Sequence, residues 1–317
     1  MNDVIAMGEL LIDFTPAGIS KNGSALFERN PGGAPANVLV TLAKLGKKTA
    51  FIGKVGNDQF GHFLKDVLIN NEVNVEGLVL SEEVNTTLAF VHLSDGGDRS
   101  FSFYRKPGAD LMITVDDIDF RQIENSRLFH FGSLSLTDEP AATATLKAVK
   151  HAKSSNLLIS YDPNLRMPLW LSEEHARKMI FMGMQYADIV KISEEELEFL
   201  TGVKDLVEGT KMLQDRFQTS LILVTLGAEG CFYRMKRHYG GKNGFNVKTI
   251  DTTGAGDAFM GAAIYKILES NKPFEQITIE ELEEMVLFAN ACGALATTKN
   301  GAIPSIPNLE EIRKFLL

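Results

Sequence analysis

Cysteine is almost absent. Cys231 and Cys292 are the only two in 317 residues, far apart and without metal-type spacing. That excludes a disulfide scaffold and leaves two ordinary thiols of a reducing compartment. The six histidines never pair at metal-ligand spacing either. Positive charge is in deficit, with 32 Lys and Arg against 41 Asp and Glu and a net charge of −9. A nucleic acid or an anionic membrane is therefore excluded as the main partner. No apolar stretch is long enough to span a bilayer, and Met1–Leu10 has neither a basic region nor a cleavage site. The expectation is a soluble, cytoplasmic protein. Repeats, low-complexity tracts and Pro/Gly-rich linkers are missing, which predicts one domain over residues 1–317. Two nucleotide signatures are missing as well. Gly46-Lys47 and Gly53-Lys54 lack the upstream Gly and following Ser or Thr of a Walker loop, and no Gly-x-Gly-x-x-Gly follows the first strand. Any bound nucleotide must be held another way.

What is present is alternation. Val4 to Phe14 is an apolar run interrupted by Gly8-Glu9, consistent with a buried first strand ending at Asp13, and a polar segment follows from Thr15 to Asn30. Pro31-Gly-Gly-Ala-Pro-Ala-Asn37 opens a helix running to Leu45, with Gly46 beyond it. Strands read at Thr49–Val55, Val75–Leu80, Leu128–Phe131, Leu157–Tyr161, Ile189–Ile192 and Leu221–Thr225. Helices read at Asp58–Asn70, Pro140–Lys153, Glu173–Met184, Glu194–Leu200, Glu208–Arg216 and Glu280–Ala296. This is the pattern of a βαβ sheet. Between Thr86 and Arg105, two alternating runs flank Asp95-Gly-Gly-Asp98, a hairpin signature that fits either a lid or a plain edge extension. The fold class is α/β: a doubly wound, mostly parallel sheet flanked by helices, with a small β insertion.

Asp251-Thr-Thr-Gly-Ala-Gly-Asp257 carries the strongest chemistry. Phe245–Ile250 reads as a short strand before it, and helical spacing of apolar residues follows from Ala258 to Leu268. Thr253 is a candidate N-cap, which would put Gly254, Ala255 and Gly256 in the first turn. Nearly bare backbone at a helix N-terminus suits a phosphate or a developing oxyanion. Asp257, on that turn, could accept a proton from a hydroxyl beside the phosphate. A tightly packed strand-to-helix turn would use the same residues.

Several strand ends add candidates, each with an ordinary structural alternative. Thr225-Leu-Gly-Ala-Glu-Gly230 stands where open α/β sheets bind ligands, and could hold nucleotide phosphates or simply turn. Asp162-Pro-Asn-Leu-Arg166 offers a rigid exit and a guanidinium fork for phosphate or sugar hydroxyls, or an Asn/Pro turn with a solvated Arg. Ser193-Glu-Glu-Glu196 fits a capping box and also a metal role for Glu196. Asp13 and Asn37, beside Gly32-Gly33, could grip vicinal hydroxyls or act as caps.

Taken in order, these motifs resemble the ribokinase-type sugar kinases, the phosphofructokinase B family, over essentially the whole chain. The Gly32-Gly33 segment ending in Asn37 and the Asp251–Asp257 segment match its two signatures. Pro31–Asn37, Phe103-Tyr-Arg-Lys-Pro-Gly-Ala-Asp110, Tyr161–Trp170, Phe288-Ala-Asn-Ala-Cys-Gly293 and Gly301-Ala-Ile-Pro304 are closest to the fructokinase branch.

The resemblance implies a ribokinase-like fold and an ATP-dependent sugar kinase making fructose 6-phosphate, with 2-keto-3-deoxygluconate kinase as the alternative within the class. A sensor that has lost catalysis is the alternative outside it, and the intact Gly-Ala-Gly-Asp argues against that. Asp257 would be the base and Gly254, Ala255 and Gly256 the anion hole, with Arg166 between sugar and γ-phosphate. Asp13, Gly33 and Asn37 would hold the sugar. A lid formed by about residues 15–30 and 86–105 would close over it through Phe101, Phe103 and Arg105. Ser193, Thr225, Gly227, Gly230, Gly256 and Asn290 would contact the nucleotide. Glu196 would order magnesium-bound water. Asp251, Thr253, Ala296, Lys299, Gly301 and Ser305 would surround a monovalent cation, usually potassium. Ser193 departs from the family's Asn, which weakens its nucleotide role. Lid edges of the family sometimes pair between subunits, so a homodimer is compatible with the sequence.

Overall fold

The computed structural model describes residues 1–93 and 99–317. The expected loop Asp95–Asp98 lies outside the described residues. The chain begins with β1 (Asn2–Met7), β2 (Leu11–Ile19), β3 (Ala25–Gly32), α1 (Ala34–Lys44), β4 (Thr49–Gly56), α2 (Gln59–Asn70) and β5 (Val73–Ser81). The hairpin strands β6 (Leu88–Leu93) and β7 (Arg99–Tyr104) follow. Alternation resumes with α3 (Phe120–Glu124), β8 (Ser126–Gly132), α4 (Ala141–Ser154), β9 (Leu158–Asp162), α5 (Glu173–Met184), β10 (Ile189–Ser193), α6 (Glu194–Thr201), α7 (Leu206–Phe217) and β11 (Leu221–Thr225). It ends with β12 (Gly230–Met235), β13 (His238–Asn243), α8 (Ala255–Ser270), α9 (Ile279–Ala296) and α10 (Leu309–Phe315).

Among the described residues the main sheet has nine strands in the order β13-β12-β11-β10-β9-β8-β1-β4-β5. Its pairs are parallel from β5 through β11, and antiparallel between β11, β12 and β13. Strand alternation builds two cores. Val4 and Ala6 of β1 join the core on one face with residues of α1, α2, α8 and α9. Ile5 and Met7 join the opposite core with residues of α4, α5, α6 and α7. Helices therefore cover both faces, the doubly wound arrangement. Strand order reverses between β1 and β8, and ligands of such sheets bind at that reversal, outside the strand carboxyl ends.

Local structure departs from the expectations at Val4–Phe14, at Phe245–Ile250 and after β11. Val4–Phe14 is two strands, because the chain leaves the main sheet at Gly8-Glu9, and Asp13 falls inside β2 rather than at a strand end. The polar stretch from Thr15 to Asn30 belongs largely to β2 and β3, whose pairing answers their backbone groups despite exposed side chains. Phe245–Ile250 is not a strand. The strands after β11 are β12 and β13, which turn back antiparallel and had no counterpart in the sequence reading. Among the described residues a second, four-stranded sheet has the order β3-β2-β6-β7, with β2 and β6 parallel.

Close approach of α1 and α8 fixes the site. A Cβ on Gly261 of α8 would lie 2.6 Å from Thr41 Cβ and 3.0 Å from Val38 O of α1. Only glycine lets the two helices come that near.

Candidate active site

Two cavities meet at the start of α8. The first, of about 290 Å³, is lined by Asp13, Gly33, Asn37, Phe103, Asn164, Arg166 and Asp257, among others. The second, of about 310 Å³, is lined by Thr225, Gly227, Gly230, Phe245, Val247 and Asn290, among others. Thr252 and Gly256 line both, so their turn is the shared wall.

That turn starts one residue later than the sequence suggested. The N-cap is Gly254, at φ 76°, and α8 begins at Ala255. Thr253 does not cap, because its hydroxyl and N–H both donate to Asp251 Oδ1, at 2.7 and 2.9 Å. Left-handed backbone favours glycine, and a Cβ on Gly254 would also meet Ala302 Cβ at 2.8 Å. The Ala255 N–H turns back to Thr252 O at 3.3 Å, while the Gly254 and Gly256 N–H groups have no backbone acceptor among the described residues. Two open N–H groups at the positive end of a 16-residue helix could receive an anion.

Asp257 is 7% exposed at the floor of the first cavity. Asn37 Nδ2 donates to its Oδ2 at 2.7 Å. Burial pushes the Asp257 carboxyl above the usual carboxylate range, against the opposing pull of Lys191, the Asn37 amide and Arg166. Asp13 is pushed up to about 7 by burial, with Arg166 opposing and Asp257 adding to it. Asn37 Oδ1 is buried with no protein partner among the described residues, which leaves an acceptor for a ligand hydroxyl.

The helix carrying Asn37 is capped from outside. Gly33, its N-cap at φ 120°, provides no side chain, and the Ala34 N–H donates to Glu9 Oε1 at 2.9 Å. A Cβ on Gly33 would stand 2.4 Å from Glu9 O, so the β1–β2 link packs directly on this turn. Burial pushes the Glu9 carboxyl up to about 7.

Past the ends of β9 and β10, Glu196 Oε2 accepts from the Ser193 N–H at 2.8 Å while Ser193 Oγ accepts from the Glu196 N–H at 3.1 Å, a capping box. Glu196 Oε1 accepts from the Leu165 N–H at 2.6 Å and so holds the turn that bears Arg166. Neither Ser193 nor Glu196 lines the two cavities. Asn290 Nδ2 donates to Lys242 O and Asn243 O at 3.0 and 3.1 Å, tying α9 to β13 on the wall of the second cavity.

Comparison with known proteins decides the family. The model for pfkB family carbohydrate kinases matches residues 1–309. The chain is 45% identical over 315 residues to a probable fructokinase-2 of Arabidopsis thaliana, covering 99% of this chain and 95% of that one. Its structure is similar to fructokinase with bound ATP from Xylella fastidiosa, at TM-score 0.92 and 33% identity over 100% of this chain and 98% of that one. It is also similar to a double mutant of fructokinase from Vibrio cholerae O395 in a fructose, ADP and potassium ion bound form, at TM-score 0.89 and 36% identity over 100% and 99%. The chain belongs to the pfkB family of carbohydrate kinases. Its ribokinase-like fold is shared with sugar kinases throughout.

For a carbohydrate kinase the remaining expected residues fall into three groups. Arg105 does not line the first cavity. It is buried, with Nε donating to Asp110 Oδ2 at 2.7 Å, Nη1 to Thr137 Oγ1 and Nη2 to Leu134 O, both at 2.9 Å. It ties the root of the hairpin to the body. The side chain of Phe101 lies outside the described residues. The expected cation residues lie on two segments, before α8 and after α9, that one hydrogen bond joins: Asp251 Oδ2 accepts from the Gly301 N–H at 3.0 Å, while Ser305 Oγ donates to Ala302 O and Ala296 closes α9. Lys299 turns its side chain to Glu311 at 3.1 Å. Among the described residues no three His, Cys, Asp or Glu side chains cluster to hold a metal ion. An ion here would meet carbonyls, hydroxyls and Asp251, hard oxygens that suit a monovalent cation.

Two site residues went unassigned from sequence. Each is a charged side chain in a mostly apolar segment, Glu9 in the link between β1 and β2 and Lys191 within β10. That placement was the available signal.

Proposed function

We propose that this carbohydrate kinase phosphorylates the 6-hydroxyl of D-fructose at the expense of ATP. The observation that carries the reading is Asp257 in the first cavity, next to the Gly256 turn that the two cavities share, with Oδ2 held by Asn37 and Oδ1 without a partner among the described residues. The sugar would lie in the first cavity against Asp13, Gly33 and Asn37, and the nucleotide in the second against Thr225, Gly227 and Gly230. Asp257 Oδ1 takes the proton as the 6-oxygen bonds to the γ-phosphorus and the bond to the β–γ bridging oxygen breaks. The Gly254 and Gly256 N–H groups and Arg166 stabilise charge on the transferring group. Magnesium on the phosphates and potassium at the Asp251 loop would supply further positive charge.

Phe103 on β7 faces the first cavity, which supports a lid role for the second sheet in excluding water. Its edge strands β3 and β7 expose Leu26, Phe27 and Tyr104, apolar side chains that a homodimer through this sheet would cover, and sedimentation tests that assembly. Both cysteines are free and buried, as a cytoplasmic location would have them. The test of function is ADP release across a panel of sugars. Fructose should give the highest kcat/KM, and a clear preference for 2-keto-3-deoxygluconate would overturn the assignment.

A further inference from the structure

We propose that Lys191 is a catalytic residue that donates a hydrogen bond to the γ-phosphoryl group from beneath the Gly254–Gly256 turn. The inference rests on the phosphoryl-transfer reading above. Lys191 lies in the middle of β10, with Leu223 of β11 as its register partner. Strands buried on both faces are made of apolar residues, and its neighbours Ile189, Val190 and Ile192 conform. Lys191 is 4% exposed and its ammonium donates to both oxygens of Asp162, at 2.9 and 3.1 Å. Asp162 is its only hydrogen-bond acceptor among the described residues.

Stability does not explain this pair. Replacing a buried ion pair by packed apolar residues is often neutral or favourable, because desolvation offsets the Coulombic gain. Position does explain it. A Cβ on Gly256 would lie 2.9 Å from Lys191 Nζ, so the ammonium touches the turn that divides the two cavities. Glycine at 256 leaves that approach open. The ammonium has three N–H bonds and two point at Asp162, which leaves one for an oxygen beyond the turn. Burial works to lower the Lys191 pKa, but Asp162, Glu196 and Asp257 outweigh it and hold the group charged. A fixed, desolvated cation beside an anion site stabilises charge on a transferring phosphoryl group without reorganising. No proton moves to or from Lys191. It acts as a donor while the oxygen–phosphorus bonds form and break.

The test compares ATP and ADP affinity by calorimetry in magnesium buffer without sugar, for the parent, Lys191→Met, and Lys191→Met combined with Asp162→Asn. The double variant removes the unpaired buried carboxylate that could unfold the single one. A lost charged hydrogen bond to the γ-phosphate should lower the preference for ATP over ADP by roughly ten-fold or more, with ADP affinity nearly unchanged. In turnover the loss should fall on kcat rather than on the sugar KM. In the unmutated protein, the Lys191 ammonium ¹⁵N resonance should shift with a non-hydrolysable ATP analogue and not with ADP. That reading needs no variant to fold. An unchanged ATP/ADP ratio in a folded variant, or a resonance indifferent to the γ-phosphate, overturns the assignment of Lys191 alone. A parent that binds neither nucleotide overturns the kinase reading and this inference with it.

Discussion

Asn37 and Asp257 are 220 residues apart in the chain, and the amide Nδ2 of one donates to the carboxylate Oδ2 of the other at 2.7 Å. The first belongs to α1, whose N-terminus borders the expected sugar pocket, and the second to the first turn of α8. Because Gly261 lets these helices touch, a hydroxyl held by α1 would be placed beside the proposed base on α8. In the proposed mechanism one helix contact would couple binding and chemistry, the kind of positioning that supplies much of an enzyme's advantage.

Asp257→Asn should abolish transfer while fold and ATP binding remain nearly intact. An amide oxygen can keep the Asn37 bond, and the charge lost at the start of α8 is worth on the order of 0.3–1 kcal/mol. An amide cannot act as the base, and general-base contributions are typically about 10²–10⁴-fold. Turnover with fructose and the melting temperature are to be measured on one sample. Normal melting with turnover within a few-fold of the parent would return Asp257 to a purely structural role.

Legibility in the sequence followed how local each determinant is. The parallel strands and their helices were readable because period and capping are written in adjacent residues, as at Ser193 and Glu196. The turn from Asp251 to Asp257 was readable because glycine and aspartate sit together there. Arg105 misled because its partners Asp110, Thr137 and Leu134 are assembled by the fold. Phe245–Ile250 misled because apolar residues there line a cavity wall rather than a sheet, Phe245 and Val247 among them. Thr253 looked like a cap, and only the Asp251 contact shows why it is not one. Lys191 and Glu9 were hidden for the same reason, since their meaning lies in what packs against them.

Arg105→Ala should destabilise the fold by about 3–5 kcal/mol, because it leaves Asp110 buried without its partner. The two side chains are 3% and 1% exposed. Urea unfolding of the variant measures this directly. A sugar ligand at position 105 would behave otherwise, raising the fructose KM and leaving the unfolding midpoint in place.

Turnover should rise when potassium replaces tetramethylammonium at matched ionic strength. Asp251 joins the turn before α8 to the Gly301 loop, by accepting from Thr253 on one oxygen and from Gly301 on the other. A cation held between those segments would add positive charge close to the anion site and order both. Equal rates in the two salts would remove the cation from the mechanism.

Glu9→Gln should make the protein less sensitive to alkaline pH. Glu9 is 3% exposed, with Oε1 accepting from the Ala34 N–H and Oε2 buried without a protein partner among the described residues. Burial is the largest influence on it. Hydrogen bonds from the Glu9 and Ala34 backbone and then the Arg105 charge pull its pKa down, Asp110 pushes it up, and the outcome is a rise from 4.5 to about 7. Between those values the folded chain binds more protons at this site than the unfolded chain, so stability falls as pH rises. The favourable contribution is complete below about 4.5 and gone once pH has passed about 7. A glutamine resembles the protonated acid at every pH and can still accept from Ala34. The variant and the parent should therefore melt alike near pH 5. At pH 8 the variant should be the more stable, by about 3 kcal/mol. Asp13, raised in the same direction, tilts both curves equally and cancels in the difference. Melting curves of the two proteins from pH 5 to 8 decide the matter. Parallel curves would show that the Glu9 carboxyl is ionised throughout and that its charge is answered within the fold.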